Sequence, residues 1–166
     1  MKGFVIYPER CNGCLTCTLA CAAAHSSSGD IIGAMLEKVQ SRIKIIAVDG
    51  FPVPVKCGHC EEPACVDACM SGAMRKDPAT GIVSNEGNEQ SCVGCWMCIM
   101  ACPYGVISQG REVPRTAVKC DGCKGRKGGP ACVEACHNGA LVLEDLEKAG
   151  ESRQISQYMK IPAKTG

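Results

Sequence analysis

Aromatic side chains are scarce in this chain: they make up 4% of its 166 residues, with one Trp and two Phe. That excludes a core built on large rings, and a core so poor in bulk is marginal by itself. No apolar run approaches the roughly 20 residues of a membrane span. The opening stretch Met1-Lys2-Gly3-Phe4-Val5-Ile6-Tyr7-Pro8 is too short in apolar residues for a secretory signal, so a cytoplasmic protein is expected. Neither sign of charge dominates: 18 Lys and Arg stand against 17 Asp and Glu, a net +1. A nucleic-acid surface is not expected from that balance. There is no G-x4-G-K-[ST] phosphate loop, no Rossmann glycine fingerprint and no C-x3-C-x2-C radical motif.

What the chain has instead is cysteine, 16 residues of it. They fall into four quartets with nothing left over: Cys11-Cys14-Cys17-Cys21, Cys57-Cys60-Cys65-Cys69, Cys92-Cys95-Cys98-Cys102 and Cys120-Cys123-Cys132-Cys136. The first and third are C-x2-C-x2-C-x3-C runs, and Pro103 follows the third. That spacing belongs to cubane iron–sulfur clusters, in which three close thiolates hold one cluster and the fourth reaches another. Four thiolates per cubane predicts four [4Fe–4S] clusters, held by the same sixteen Cys through Fe. A disulfide scaffold is disfavoured, because it calls for an oxidising compartment. Zinc is the nearer rival, but zinc sites use two pairs with a longer spacer and have no use for a third Cys three residues on. A cubane with its thiolates carries about −2, so the loaded chain would stand near −7. Lys and Arg then serve first as counter-charge. Folding is expected to depend on the clusters, as small metal domains depend on their metal.

The second and fourth quartets repeat each other. Pro63-Ala64-Cys65-Val66-Asp67-Ala68-Cys69 leads to Gly72-Ala73-Met74, and Pro130-Ala131-Cys132-Val133-Glu134-Ala135-Cys136 leads to Gly139-Ala140-Leu141. Such repetition indicates a duplicated unit. Each unit is expected to place a short helix at its x3 Cys pair, then a turn and a short strand. Ile31-Ile32, Met35-Leu36 and Val39 recur at helical spacing. Arg42 to Val48 reads as a strand, Asp49-Gly50 as a hairpin turn, and Phe51 to Val55 as the return strand despite Pro52 and Pro54. Asp77-Pro78-Ala79-Thr80-Gly81 is a further turn before Ile82-Val83. His59 lies between two cysteines, where packing or a hydrogen bond is the plain expectation and a redox-linked proton site the sharper one. His25 and His137 have no clear partner in the sequence and read as surface or packing residues. The loop Lys124 to Ala131 reads as a solvated, charge-balancing spacer or as a docking element.

Cys57-Gly58-His59-Cys60-Glu61-Glu62-Pro63-Ala64-Cys65 resembles the C-x-H-C-x2-P-x-C signature of four-cluster ferredoxin-like electron-transfer subunits. These accompany molybdenum and tungsten oxidoreductases such as dimethyl sulfoxide reductase, formate dehydrogenase and aldehyde oxidoreductase, and the ferredoxin of carbon monoxide dehydrogenase is similar. The resemblance covers roughly residues 4 to 145. It implies an α+β, ferredoxin-like fold of two pseudo-symmetric dicluster lobes with short antiparallel hairpins and short helices. A four-cluster domain would span 1–146, with an outer lobe of about 1–50 and 108–146 and an inner lobe of about 51–107. Residues 147–166 would be a tail, either frayed or a partner-docking arm.

The resemblance also implies interleaved ligation. Cluster 1 would be held by Cys11, Cys14, Cys17 and Cys136, and cluster 4 by Cys120, Cys123, Cys132 and Cys21. Cluster 2 would take Cys57, Cys60, Cys65 and Cys102, and cluster 3 Cys92, Cys95, Cys98 and Cys69. Pairing of consecutive motifs is the alternative that spacing leaves open. Some family members put Trp in place of a third-quartet ligand; here Trp96 stands beside Cys95, so a full cubane is expected. No catalytic residues are implied. The expected function is relay of single electrons between a catalytic subunit and a second donor or acceptor, as a bound subunit and not an enzyme by itself. Higher-order assembly is a weaker extension. A tungsten or molybdenum aldehyde or formate oxidoreductase is the favoured partner, and carbon monoxide dehydrogenase the runner-up. A ferredoxin of a carbon monoxide dehydrogenase or hydrogenase system, a free polyferredoxin, and a catalytic component in its own right are the alternatives.

Overall fold

The computed structural model of the chain describes residues 2–111 and 114–145. It is α+β and built from small pieces. Among the described residues, eight strands form four separate two-stranded antiparallel sheets, and five short α-helices lie between them. In chain order the strands are β1 (Lys2–Ile6), β2 (Ile43–Val48), β3 (Phe51–Lys56), β4 (Arg75–Lys76), β5 (Val83–Ser84), β6 (Ser108–Gln109), β7 (Ala117–Val118) and β8 (Leu141–Asp145). The helices are α1 (Thr16–Ala24), α2 (Ile31–Leu36), α3 (Ala64–Asp67), α4 (Met97–Ala101) and α5 (Ala131–Glu134). No helix among the described residues is long and apolar enough to cross a membrane. The segment 147–166, with its expected docking role, lies outside the described residues.

Strands β1 and β8 pair from Lys2 with Asp145 to Ile6 with Leu141, bringing the two ends of the described chain side by side. The β2–β3 hairpin turns at Asp49 (φ 49°) and Gly50 (φ 82°), the left-handed pair that a tight two-residue turn demands. Pro52 and Pro54 stand opposite Ala47 and Ile45. They are tolerated because a two-stranded sheet has only edge strands. The turn at Asp77 to Gly81 closes through Gly81 N to Asp77 O at 2.8 Å and joins β4 to β5.

Helix α2 departs from expectation in length and burial. Asp30 caps it by accepting from Gly33 N at 2.7 Å. It stops at Leu36, short of Val39, and Ile32, Met35 and Leu36 are exposed, with only Ala34 buried. Periodicity is enough to make a helix here, but only its small side rests on α1.

Two cores result. One joins Cys17, Cys21, Ile43, Cys132 and Leu141, with α1 packed on α5. The other joins Cys57, Met74, Val83, Cys98, Val106, Ile107, Ala117 and Cys120, with α3 packed on α4. Small residues allow the close helix contacts: α1 is Thr-Cys-Thr-Leu-Ala-Cys-Ala-Ala-Ala, and Cys17 and Cys21 share a face four residues apart.

Helices α1 and α4 are entered through a bend that only certain backbones make. Leu15 (φ 62°) and Trp96 (φ 65°) precede them, with Gly13 (φ 74°) and Gly94 (φ 68°) two residues earlier. A Cβ on Gly94 would lie 2.5 Å from the carbonyl oxygen of Arg115, whereas one on Gly13 would meet Pro52 Cβ at 3.3 Å. Gly94→Ala is therefore expected to cost about 1–3 kcal/mol from backbone strain and steric clash together, and Gly13→Ala less. Denaturant unfolding of the anaerobic protein with iron release as a second signal checks the ranking.

Candidate functional site

All sixteen cysteines are free thiols in the structure. The helices place them in a regular way. In the first and third runs, two cysteines lie on the glycine-containing loop, the third on the first turn of α1 or α4, and the fourth a turn later. In the second and fourth, Pro63 and Pro130 open α3 and α5 at the N-cap, Cys65 and Cys132 are second in their helices, and Cys69 and Cys136 follow the helix end.

Four groups of thiols come together. Cys11, Cys14, Cys17 and Cys136 line one cavity, walled by Leu15, Ile45, Pro54 and Leu141. Cys57, Cys60, Cys65 and Cys102 line another, walled by Val83, Val106 and Ile107. The remaining two groups are visible in how their thiols repel one another's ionisation. Burial pushes the Cys132 thiol up to about 12, and Cys120, Cys21 and Cys123 push in the same direction. Cys98 is raised by burial and then by Cys92, Cys69 and Cys95. The cavity groups behave alike: burial, then Cys136, Cys14 and Cys11, raises Cys17 to about 11. Burial, with Cys57 and Cys102, does the same at Cys65, against an opposing pull from Lys119.

Backbone N–H groups point at sulfur. Arg42 N lies 3.3 Å from Cys21 Sγ, Met74 N 3.2 Å from Cys69 Sγ, His59 N 3.4 Å from Cys57 Sγ and Gly122 N 3.4 Å from Cys120 Sγ. Four soft sulfur donors to a group, in apolar walls, with N–H groups aimed at them, suit iron–sulfur chemistry. No carboxylate lines either cavity among the described residues, whereas magnesium and calcium sites draw on carboxylates.

Cys14 and Cys95 are the exposed thiols. Cys57 and Cys120 are both buried and share a core, so their two groups are neighbours.

Three histidines resolve differently. His59 accepts a hydrogen bond from Val83 N at 3.0 Å through Nδ1 and stacks on Phe4, 6.0 Å between ring centres. Burial, then the charges of Lys119 and Lys56, lowers its pKa to about 3, so it packs as a neutral ring. His25 has partners that its sequence neighbourhood does not reveal. Its Nδ1 lies 2.7 Å from Cys21 O and its Nε2 lies 3.1 Å from Asp121 Oδ1, 96 residues away. Arg42 Nη1 reaches the other Asp121 oxygen at 3.1 Å. Burial opposes protonation of His25, but the bonds to Asp121 and Cys21 win and raise it to about 10. Asp121 is held well below the usual carboxylate range by His25 and Arg42, against its burial. His137 lines the cavity of Cys11, Cys14, Cys17 and Cys136. In the basic loop, Arg126 is tied to Glu134 at 2.5 Å and to Gly129 O at 2.8 Å.

Two residues escape a reading by motif alone. Lys56 and Lys119 are 7% and 2% exposed. Each immediately precedes the first Cys of its quartet, in Val55-Lys56-Cys57 and Val118-Lys119-Cys120. Extending the repeat comparison two residues upstream would have found them.

Comparison with known proteins agrees with this geometry. The model of the 4Fe-4S dicluster domain matches residues 48–146. The chain is similar to an iron-sulfur protein of Rhodospirillum rubrum, 40% identical over 165 residues, covering 88% of this chain and 84% of the relative. It is similar to the electron transport protein HydN of Escherichia coli K12, 32% identical over 163 residues, covering 89% and 91%. One polypeptide of the anaerobic dimethyl sulfoxide reductase of the same bacterium is 36% identical over 158 residues, covering 88% and 74%.

The His25–Asp121 pair yields a pH test. His25 is raised to about 10 from 6.5, so its contribution is full below about 6.5 and is lost as pH rises through about 10. Asp121→Asn removes that contribution and the Arg42 ion pair, an expected loss of about 1–3 kcal/mol. Unfolding of wild type and variant at about pH 6 and about pH 10 checks the sign: the gap between them narrows at the higher pH.

Proposed function

This protein belongs to the 4Fe-4S dicluster domain family, and on that footing we propose that it is an electron-transfer subunit carrying four [4Fe–4S] clusters within an oxidoreductase complex. The observation that carries this reading is the gathering of Cys11, Cys14 and Cys17 with Cys136, a residue of a different quartet, around one cavity. In this reading the four groups are the four ligand sets. Cys11, Cys14, Cys17 and Cys136 hold cluster 1; Cys120, Cys123, Cys132 and Cys21 hold cluster 4. Cys57, Cys60, Cys65 and Cys102 hold cluster 2; Cys92, Cys95, Cys98 and Cys69 hold cluster 3. Clusters 4 and 2 are then neighbours, with an outer lobe of about 1–50 and 108–146 and an inner lobe of about 51–107.

Bound clusters supply reversible one-electron chemistry. The chain supplies the rest. Its apolar cavity walls keep water from the sulfurs, and its N–H groups favour the extra negative charge of the reduced state. Its exposed ends at Cys14 and Cys95 give two faces for a donor and an acceptor. Around Cys95 the exposed side chains are apolar, including Val93, Met97 and Met100, which suits a dry contact with a partner. The catalytic partner we favour is a tungsten or molybdenum aldehyde or formate oxidoreductase, with carbon monoxide dehydrogenase second, and catalysis resides in that partner. Similarity to a component of dimethyl sulfoxide reductase supports a place in a complex. Sixteen free thiols suit the reducing cytoplasm.

Anaerobically purified protein is expected to hold about 16 Fe and 16 acid-labile sulfides per chain, from four of each per cubane. Stoichiometric zinc with little iron would refute the cluster reading. Cys136→Ser should damage the cluster beside Cys11, and Cys21→Ser the one beside Cys120, read by low-temperature paramagnetic resonance. The reverse pattern would mean that each motif is self-contained.

A subunit also predicts an elution volume. In gently lysed, oxygen-free native extract, the protein should elute within a larger complex that contains tungsten, molybdenum or nickel. Elution as a lone species of 17.4 kDa with full carrier activity would overturn the subunit reading.

A further inference from the structure

The geometry points to a pair of buried positive charges, Lys56 and Lys119, that sit beside the thiol groups of Cys57 and Cys120 and raise the reduction potentials of the clusters there. This deepens the function proposed above and rests on its assignment of the four ligand sets.

Both side chains are buried to a degree lysine rarely reaches without a partner, at 7% and 2% exposure. Among the described residues neither ammonium is paired with a carboxylate. Their hydrogen bonds are to carbonyls alone, and they follow one pattern. Lys56 Nζ donates to Cys57 O at 2.9 Å, and Lys119 Nζ donates to Cys120 O at 2.9 Å. Lys119 Nζ also donates to Val83 O on β5. Lys56 Nζ stands 3.3 Å from the centre of the Phe4 ring. Carbonyls and a ring face hold the ammonium groups in place but bring no net negative charge to offset them.

The anions within reach are cysteine sulfurs. Lys119 Nζ bridges two of the groups, because one of its carbonyl partners is that of Cys120 and the other is that of Val83, which lines the cavity of Cys57, Cys60, Cys65 and Cys102. Lys56 Nζ is tied to the carbonyl of Cys57, in that same cavity's lining. Two like charges in one core disfavour each other. What makes the pair tolerable is strong negative charge on both sides, which four thiolates around a cubane provide.

The consequence concerns the step between lobes. A reduced cluster is more negative than an oxidised one by one charge, so a nearby fixed cation favours reduction. The two clusters beside the lysines then sit at higher potential than they would beside neutral side chains. An electron crosses the junction past positive charge, and the two anionic centres are screened from each other.

The test uses the full chain, reconstituted without oxygen. Lys56→Met and Lys119→Met are compared with Lys56→Arg and Lys119→Arg, which keep the charge, and with Lys44→Met on the exposed face of the β2–β3 hairpin. Iron and sulfide content and the cubane resonance signal test the cluster reading. Potentiometric titration followed by paramagnetic resonance tests the lysines. In each Met variant one of the resolved potentials should fall, with at least a tenfold change in the oxidised-to-reduced ratio at fixed potential, which is about 59 mV for one electron. The potential that moves should belong to a cluster assigned by Cys21→Ser or Cys102→Ser, and not to the one assigned by Cys136→Ser. The Arg variants should stay within twofold of wild type, and Lys44→Met should not move. Fully loaded Met variants with unchanged potentials would overturn the proposal. If the Met variants fail to load, Arg variants that load with near-native potentials support a role of charge. Arg variants that also fail show a role of shape alone and overturn it.

Discussion

Sixteen thiols drawn to four points cannot all ionise unless something positive stands between them. Each group shows the conflict: burial and neighbouring sulfurs raise Cys17 and Cys65 to about 11 and Cys132 to about 12. A thiolate is the form that binds metal, so loading must expel protons that the empty groups hold tightly. The rest of the molecule is arranged around that demand. Its strands are short, its helices span four to nine residues, and its largest fully buried side chains include a lysine. Such a scaffold has little apolar mass of its own. It is a set of loops and caps that present sulfur, backbone N–H and a few fixed charges at chosen places.

Much of this was legible in the sequence because it is local. Quartet spacing gives the cofactor class, Asp49-Gly50 gives the hairpin, and Pro63 and Pro130 mark where α3 and α5 begin. The α+β architecture of short hairpins and helices follows from the same signals. Other features depend on residues far apart in the chain, and spacing does not encode them. His25 meets Asp121 across 96 positions, and nothing near His25 announces it. Helix α2 has the right periodicity for a buried face, yet Ile32, Met35 and Leu36 are exposed, because periodicity reports that a face exists and not what lies against it. Lys56 and Lys119 were hidden by composition. Lysine is usually solvated, and two among 18 basic residues attract little notice unless the repeat is followed upstream of its first Cys.

The polar interior is asymmetric about the junction between the two cores. On one side, Asp121 holds His25 and Arg42 near the backbone of Cys21, an arrangement that orders the loop after Cys120 and sets two positive charges against one negative. On the other, His59 is neutral, and its ring is stacked against Phe4. The same ring of Phe4 carries the ammonium of Lys56. The N-terminal strand therefore does more than close a sheet with β8. It delivers an aromatic face to the place where the two cores meet, and so uses one of only two Phe residues in the chain.

The grouping of Cys136 with Cys11, Cys14 and Cys17 also fixes an order in time. A chain emerges from the ribosome N-terminus first, at about 5–20 residues per second. The first quartet appears early but stays one thiol short until residue 136 is made. The group of Cys57, Cys60, Cys65 and Cys102 has all its members once residue 102 is out. Assembly can therefore run from the middle outward, with the earliest cysteines waiting longest. During that wait Cys11, Cys14 and Cys17 are open to oxidants and stray metals, and Cys136, just beyond α5, ends the exposure.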